Sequence, residues 1–444
     1  MFIISLPFSG ETWMYNFGFH IKLSYFIFGF VFISVMYHKI HNRNFSLTIT
    51  SIDVPLFFFL LVVVISVFQT MYLGNNPFII FGAFRNYPWI KGISRIILLM
   101  FMFIIYYVTI DIIKEKDIFK NSVLFFIITS VLISIYGLVG YTLNYINSSL
   151  YFPMFFETLT FMRIKSVFNE PLFLGNYLLS ILPVIYCLLA AKVKYINRYF
   201  LWGSLIILTL TLFLTESRGA WVGYIIFIVL FFILYWRSLL KAALNPSLYI
   251  LLLLCLLFVI DFTFFDSELG KQADIKISNI VTSVSSPLIN AITPSTEKFW
   301  STRVRLWSIE SAFNTFKQHP ILGVGYSNYG FYSGMKVYDG LYLSAINISE
   351  VNNYPFSVLV EMGFVGLIAL IWLTWKIIKS IVKKLFHETD EIKKALITGY
   401  ALSLLAVSAQ LMFFSYIMSA YIWVMLAMAM SLCYVKIVTM EKLE

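Results

Sequence analysis

"LWGSLIILTLTLFLTESRGAWVGYIIFIVLFFILYW", residues 201–236, decides the fold. Two apolar runs, each long enough to cross a bilayer, meet at three polar residues, Glu216, Ser217 and Arg218. A hydrocarbon core of about 30 Å needs roughly 20 apolar residues of helix. Such runs recur along the chain, which is 60% hydrophobic and only 12% charged. A soluble domain carries about a quarter charged residues. The expectation is an all-α polytopic membrane protein.

Runs at 17–37, 53–73, 93–113, 121–146, 172–191, 198–215, 219–236, 246–265, 355–378, 394–413 and 415–436 predict about eleven or twelve transmembrane helices. The stretch 1–8 is too short to span. It lacks a basic start and a small-residue cleavage site, so no signal peptide is expected there. The expected organisation is N-terminal transmembrane helices over 1–265, one large extracytoplasmic loop over 266–353, and C-terminal transmembrane helices over 354–444. The three cysteines, Cys187, Cys255 and Cys433, sit in apolar runs and read as small core residues. The five histidines show no spacing that would hold a metal.

Basic residues fix the orientation. Lys39 and Arg43, then Lys114, Lys116 and Lys120, then Lys192, Lys194 and Arg198, mark loops that follow odd-numbered spans. Arg237 and Lys241, and the lysines between 376 and 394, continue the series. Loops rich in Lys and Arg stay in the cytoplasm. The net charge of +10 is therefore read as topology and anionic-lipid contact, with no nucleic-acid partner.

That parity sets Arg85, Arg163, Arg218, Arg303 and Arg305 on the outer side, against the usual bias. Guanidinium groups grip phosphate bidentately and stay charged, so arginines around one cavity would hold a pyrophosphate. Each one alone is also explained by a lipid headgroup or a nearby acid such as Glu216. The loop carries a predicted helix at 301–317 with Trp307, Ile309, Ala312, Phe313 and Phe316 near one face, then the turn-rich "HPILGVGYSNYG". Its "GVG" is not a phosphate loop, lacking the Gly-Lys-Ser/Thr ending. Glu170 and Glu361 are placed to take protons. Glu170 reads equally well as a first-turn helix acid before Pro171, and Glu361 as an internal polar partner. His319 is a base near neutral pH or a helix-end group.

In this order the motifs resemble the bacterial O-antigen ligase and O-antigen polymerase superfamily. The segments that carry the resemblance are "RIKSVFNEPLFLGNYLLSILP" (163–183), "ESRGAWVG" (216–223), "TRVRLWSIESAFNTFKQHPILGVGYSNY" (302–329) and "NNYPFSVLVEMGFVGL" (352–367). It covers about residues 160–370. It implies a GT-C-like membrane glycosyltransferase acting at the outer face of the bacterial cytoplasmic (inner) membrane, without metal or other cofactor. The expected substrate is an undecaprenyl-pyrophosphate-linked oligosaccharide, transferred to a sugar hydroxyl. The resemblance implies pyrophosphate-binding roles for Arg163, Arg218 and Arg303, supported by Glu216, Arg305 and His319, with Glu170, Asn352 and Glu361 as catalytic groups.

Ligases of this type usually carry histidine where this chain has Asn352, and asparagine where it has Glu170. Asparagine cannot take a proton, and Glu-Pro at this place looks more like the polymerases. The expectation is therefore a polymerase of surface-polysaccharide repeat units, working with a chain-length regulator or flippase. The alternatives are ligation to lipid A core or protein, and, in another class, transport of lipid-linked glycans.

Overall fold

In the computed structural model, the described residues are 2–8, 14–16, 20–43, 48–71, 73, 88–146, 159–160, 163–241, 300–332, 337–338, 341–342 and 351–434. The predicted span 246–265, Arg85, and most of the loop 266–353 lie outside them.

The described helices are α1 (Phe2–Ser5), α2 (Leu23–His41), α3 (Asp53–Gln69), α4 (Pro88–Ile112), α5 (Lys116–Ile146), α6 (Pro171–Leu179), α7 (Leu182–Ala190), α8 (Arg198–Leu214) and α9 (Arg218–Lys241). They continue as α10 (Trp300–Gln318), α11 (Tyr329–Tyr332), α12 (Tyr354–His387), α13 (Glu391–Gln410) and α14 (Ala420–Tyr434). Among the described residues the only strands form three short two-stranded antiparallel ladders. Seven segments are long and apolar enough to cross a membrane, and α3, α8 and α14 are shorter apolar helices. These ten coincide with ten of the predicted spans. The chain is an all-α, multi-pass membrane protein.

The chain divides into two compact units, Met1–Ile233 with Ser308–Glu444, and Leu234–Trp307. Within the first, α6 and α7 form the centre: every residue from Leu174 to Leu189 is buried. Sequence reading gave one span here. Pro183 lacks an N–H and restricts Leu182, and the helix restarts at Leu182 after Ser180 and Ile181.

Asn176, Gln410 and Tyr421 satisfy one another in this centre, as a medium without water demands. Asn176 donates from Nδ2 to Gln410 Oε1 at 3.0 Å and accepts from the Tyr421 hydroxyl at 2.9 Å. Gln410 Nε2 in turn reaches the Leu172 carbonyl at 2.9 Å. This network pins α6, α13 and α14 together.

At one end of the unit the basic residues gather acids. Lys39 and Lys114 both pair with Asp111, and Lys384 and Lys393 with Glu388. The other end holds the α8–α9 turn, the start of α12 and the chain between α13 and α14.

Candidate functional site

The turn that opens the sequence is built by its neighbours. α8 ends at Leu214, Glu216 takes a left-handed conformation (φ 49°), and α9 starts at Arg218. Helix C-termini leave carbonyls without intrahelical partners. Arg163 meets them here: its Nε donates to the Thr215 carbonyl and its Nη2 to the Glu216 carbonyl, each at 3.0 Å. A cation at a helix C-terminus also suits the helix dipole. Both hydrogen bonds of Arg163 thus go to the backbone of the turn.

Small residues let this turn sit deep in the bundle. A Cβ at Gly175 would lie 2.7 Å from the Ala220 Cβ, and one at Gly223 2.5 Å from the Ala406 carbonyl oxygen. Ser217 and Ala220 are buried. Glu216 and Arg218 are the residues of the turn left exposed. Arg218 therefore stands at the first position of a 24-residue helix, where the dipole and free backbone N–H groups favour an anion.

Glu170 belongs to the same neighbourhood. It occupies the N-cap position of α6 ahead of Pro171, yet its carboxylate makes no capping hydrogen bond, and it is exposed. Burial lowers the pKa of Arg163 below its ordinary value; Glu216 opposes that shift, Arg218 adds to it and Glu170 opposes it. Glu216, Arg218 and Glu170 therefore all act on Arg163.

A second construction lies alongside. α12 is broken at Gly363 (φ 67°, ψ −164°). The segment 320–325 enters the break and takes over its backbone bonding. Val324 N–H donates to the Val360 carbonyl (3.1 Å), Gly325 N–H to that of Glu361 (2.8 Å), and Phe364 N–H to that of Pro320 (2.9 Å). The approach needs glycine on both sides. A Cβ at Gly323 would sit 2.3 Å from the Glu361 carbonyl carbon, and one at Gly363 2.1 Å from the Ile321 oxygen. The two motifs singled out in the sequence, His-Pro-x-x-Gly-x-Gly and Glu-x-Gly-x-x-Gly, are two halves of this one crossing.

The crossing delivers Glu361. Its Oε2 accepts the Ser327 N–H at 2.8 Å, and the residue is 7% exposed. Glu361 lines a cavity of about 180 Å³ with Tyr326 and Tyr354, with Lys91 and Arg95 from α4, and with Tyr416 from the α13–α14 connection. Burial raises the Tyr326 hydroxyl well above its ordinary range; Glu361 adds to this and Arg95 opposes it.

The connection between α13 and α14 joins the two constructions. Phe173, three residues after Glu170, packs on Phe414 and Tyr416 with ring centres 4.9 and 5.6 Å away. Asn353 caps α12 through Phe356 N–H (3.0 Å) and donates to the Met412 carbonyl (3.0 Å). Asn352 beside it is half-buried and left-handed (φ 53°), a conformation asparagine tolerates.

The remaining sequence candidates fall elsewhere. His319 closes the C-terminal end of α10 and lines a separate groove with Phe68 and Gln69. Arg303 and Arg305 lie on the first turns of α10, and their side chains are outside the described residues. On the same helix Ala312 is buried against Tyr329, Val351 and Val360, with Ile309 and Phe316 partly buried beside it, while Phe313 is exposed. Sequence reading missed Lys91, Arg95 and Tyr416. The available signal was Arg95, a cation two residues inside a largely apolar predicted span.

Residues 203–371 match the family model described as O-antigen ligase. Over that stretch the chain is similar to the O-antigen ligase family. The match takes in Arg218, Arg303, Asn352 and Glu361, while Arg163, Glu170, Lys91, Arg95 and Tyr416 lie beyond it. No curated protein matches the chain. This match bears out the resemblance drawn from the motifs, and it supports an activity of the O-antigen ligase or polymerase type, that of a membrane glycosyltransferase.

Proposed function

We propose that this protein polymerises polysaccharide repeat units, moving a glycan from polyprenyl pyrophosphate onto a sugar hydroxyl of a second lipid-linked unit. The observation that carries this reading is the exposed Arg218 at the N-terminus of α9, on a turn locked by Arg163 and next to Glu170.

In the proposed reaction the acceptor oxygen attacks the anomeric carbon. The bond from that carbon to the pyrophosphate oxygen breaks, and its electron pair leaves with the pyrophosphate. Arg218 and the α9 N-terminus receive the charge that develops there, the kind of stabilisation that contributes most to such steps. Arg303 is proposed as a second ligand of the leaving group, and Glu216 as the group that orients Arg218. Arg163 acts through the turn it holds. The acceptor proton passes to the Glu170 carboxylate, which no capping bond engages. Asn352 offers the acceptor a hydrogen bond.

The asparagine at 352 and the Glu-Pro at 170–171 favour polymerisation. The family description favours the second reading, ligation to an acceptor other than a repeat unit. The loop lysines and arginines support a bacterial cytoplasmic membrane location with the α8–α9 turn facing outward.

The test uses purified protein in detergent with polyprenyl-pyrophosphate-linked repeat units, the products separated on a gel. A ladder of lengths supports polymerisation. Label moving only onto added lipid A core or protein supports ligation. With competent substrate and neither product, the transferase reading is lost.

A further inference from the structure

The Glu361 cavity is neither a lipid slot nor a plain anion hole. Lys91 and Arg95 bring two cations from one face of α4, and Lys22 lies 5.5 Å from the Tyr416 ring centre. Against them stands one carboxylate, Glu361. Ionisable groups at membrane depth are functional by default, and the cations here outnumber the acid.

The remaining wall is largely aromatic and hydroxylic, from Tyr326, Tyr354 and Tyr416 with Ser357 and Ser415, and is completed by Val358, Ile417 and Met418. Tyr354 is 7% exposed, and its buried hydroxyl has no hydrogen-bond partner among the described residues. Buried polar atoms without partners are rare and call for an explanation. At about 180 Å³ the cavity has more than ten times the roughly 10–15 Å³ that one water needs.

We infer that this cavity is a binding subsite for an acidic monosaccharide unit, a hexuronate. Its carboxylate would meet Arg95 and Lys91, its hydroxyls would donate to Glu361 and pair with the Tyr354 hydroxyl, and its ring would lie on tyrosine faces. A phosphodiester offers no hydrogen-bond donor to Glu361, whose carboxylate accepts and does not donate. An acyl chain offers nothing to either sign of charge. Hydroxyl donors and an anion on one small ring answer both signs of charge in the wall. That the hexuronate belongs to the transferred glycan or its acceptor rests on the transferase reading; the subsite itself rests on the cavity.

The test is equilibrium binding to the purified full-length protein in neutral detergent, with D-glucuronate, D-glucose and phosphatidylglycerol as probes. Glucuronate should bind saturably and glucose at least about tenfold more weakly, the loss expected when a charged hydrogen-bond partner goes. Arg95→Gln should weaken glucuronate about tenfold or more, and Arg95→Lys should restore part of that. Tyr354→Phe should weaken both sugars. Gly203→Ala, far from any assigned role, should leave glucuronate binding unchanged. If Arg95→Gln does not fold, Lys91→Gln and Tyr354→Phe carry the comparison. No glucuronate binding to the wild type, equal binding of glucose, or displacement of glucuronate by phosphatidylglycerol would each overturn the inference. Glucuronate binding without glycan transfer removes the transferase reading and leaves the subsite; transfer without glucuronate binding does the reverse.

Discussion

Arg163 holds Thr215 by its carbonyl, Nε to oxygen at 3.0 Å, across 52 residues of chain. With the second bond to Glu216, this fixes the one sharp turn in which the exposed Arg218 stands. Arg163→Ala should therefore lower both the melting temperature and the rate of transfer. The structural loss is about 1.5–3 kcal/mol, that of a charged hydrogen bond, kept to the lower part of that range by partial exposure. Arg163→Lys should recover little, since an ammonium cannot span two carbonyls as a planar fork does. Thermal melts in detergent beside initial rates decide it. A variant that melts normally and transfers poorly would make Arg163 a ligand instead.

Arg218→Ala should separate the two effects. Its side chain is exposed, so the melt should stay within about 0.5 kcal/mol of the parent. Transfer should fall by about two to three orders of magnitude, as when a preorganised charge donor is removed. Arg303→Ala should lower transfer by a similar factor. Normal product ladders from both variants would end the pyrophosphate role.

The crossing of 320–325 with α12 tolerates no added methyl. Gly363→Ala places a Cβ 2.1 Å from the Ile321 oxygen in a backbone with φ 67°. The expected loss exceeds about 3 kcal/mol, read as low yield of monodisperse protein. Gly203 in α8 has nothing within 4 Å of the Cβ position. Gly203→Ala should therefore be neutral or gain about 0.5–1 kcal/mol from helix propensity. Similar melts for the two variants would contradict the crossing.

Alkaline pH should loosen the α10–α11 contact. The Tyr329 hydroxyl donates to the Ser308 carbonyl at 2.9 Å, and burial, with Glu361 adding to it and Ser311 opposing, pushes its pKa up to about 12. A raised folded pKa gives stability that is whole below the unfolded value of about 10 and is lost as pH rises toward 12. Denaturation of the wild type should steepen between pH 10 and 12. Tyr329→Phe should be less stable by about 1 kcal/mol at pH 8 and flatter above pH 10. Parallel pH profiles for the two proteins would count against it.

Hydropathy was enough to read the spans, because every membrane-crossing helix declares itself by length and composition. Backbone detail within the spans was less legible: Pro183 interrupts the helix between α6 and α7 inside one predicted span that holds, and α14 begins at Ala420, after a predicted start at 415. The motif residues were legible as a set, yet the roles of their glycines were not. Gly323 and Gly363 are far apart in the chain, and only the fold brings their segments together. The cavity was least legible of all. Lys91, Glu361 and Tyr416 come from three separate segments, and no periodicity or spacing links them.

The break in α12 bears on how the protein reaches its membrane. A helix entering a bilayer normally carries its own hydrogen bonds, but this one carries a gap at Gly363, and the carbonyls of Val360 and Glu361 find their donors on residues 324 and 325. Lipid offers no substitute for those donors. The segment that follows α10 must therefore settle as α12 integrates, and the two are a single step in biogenesis.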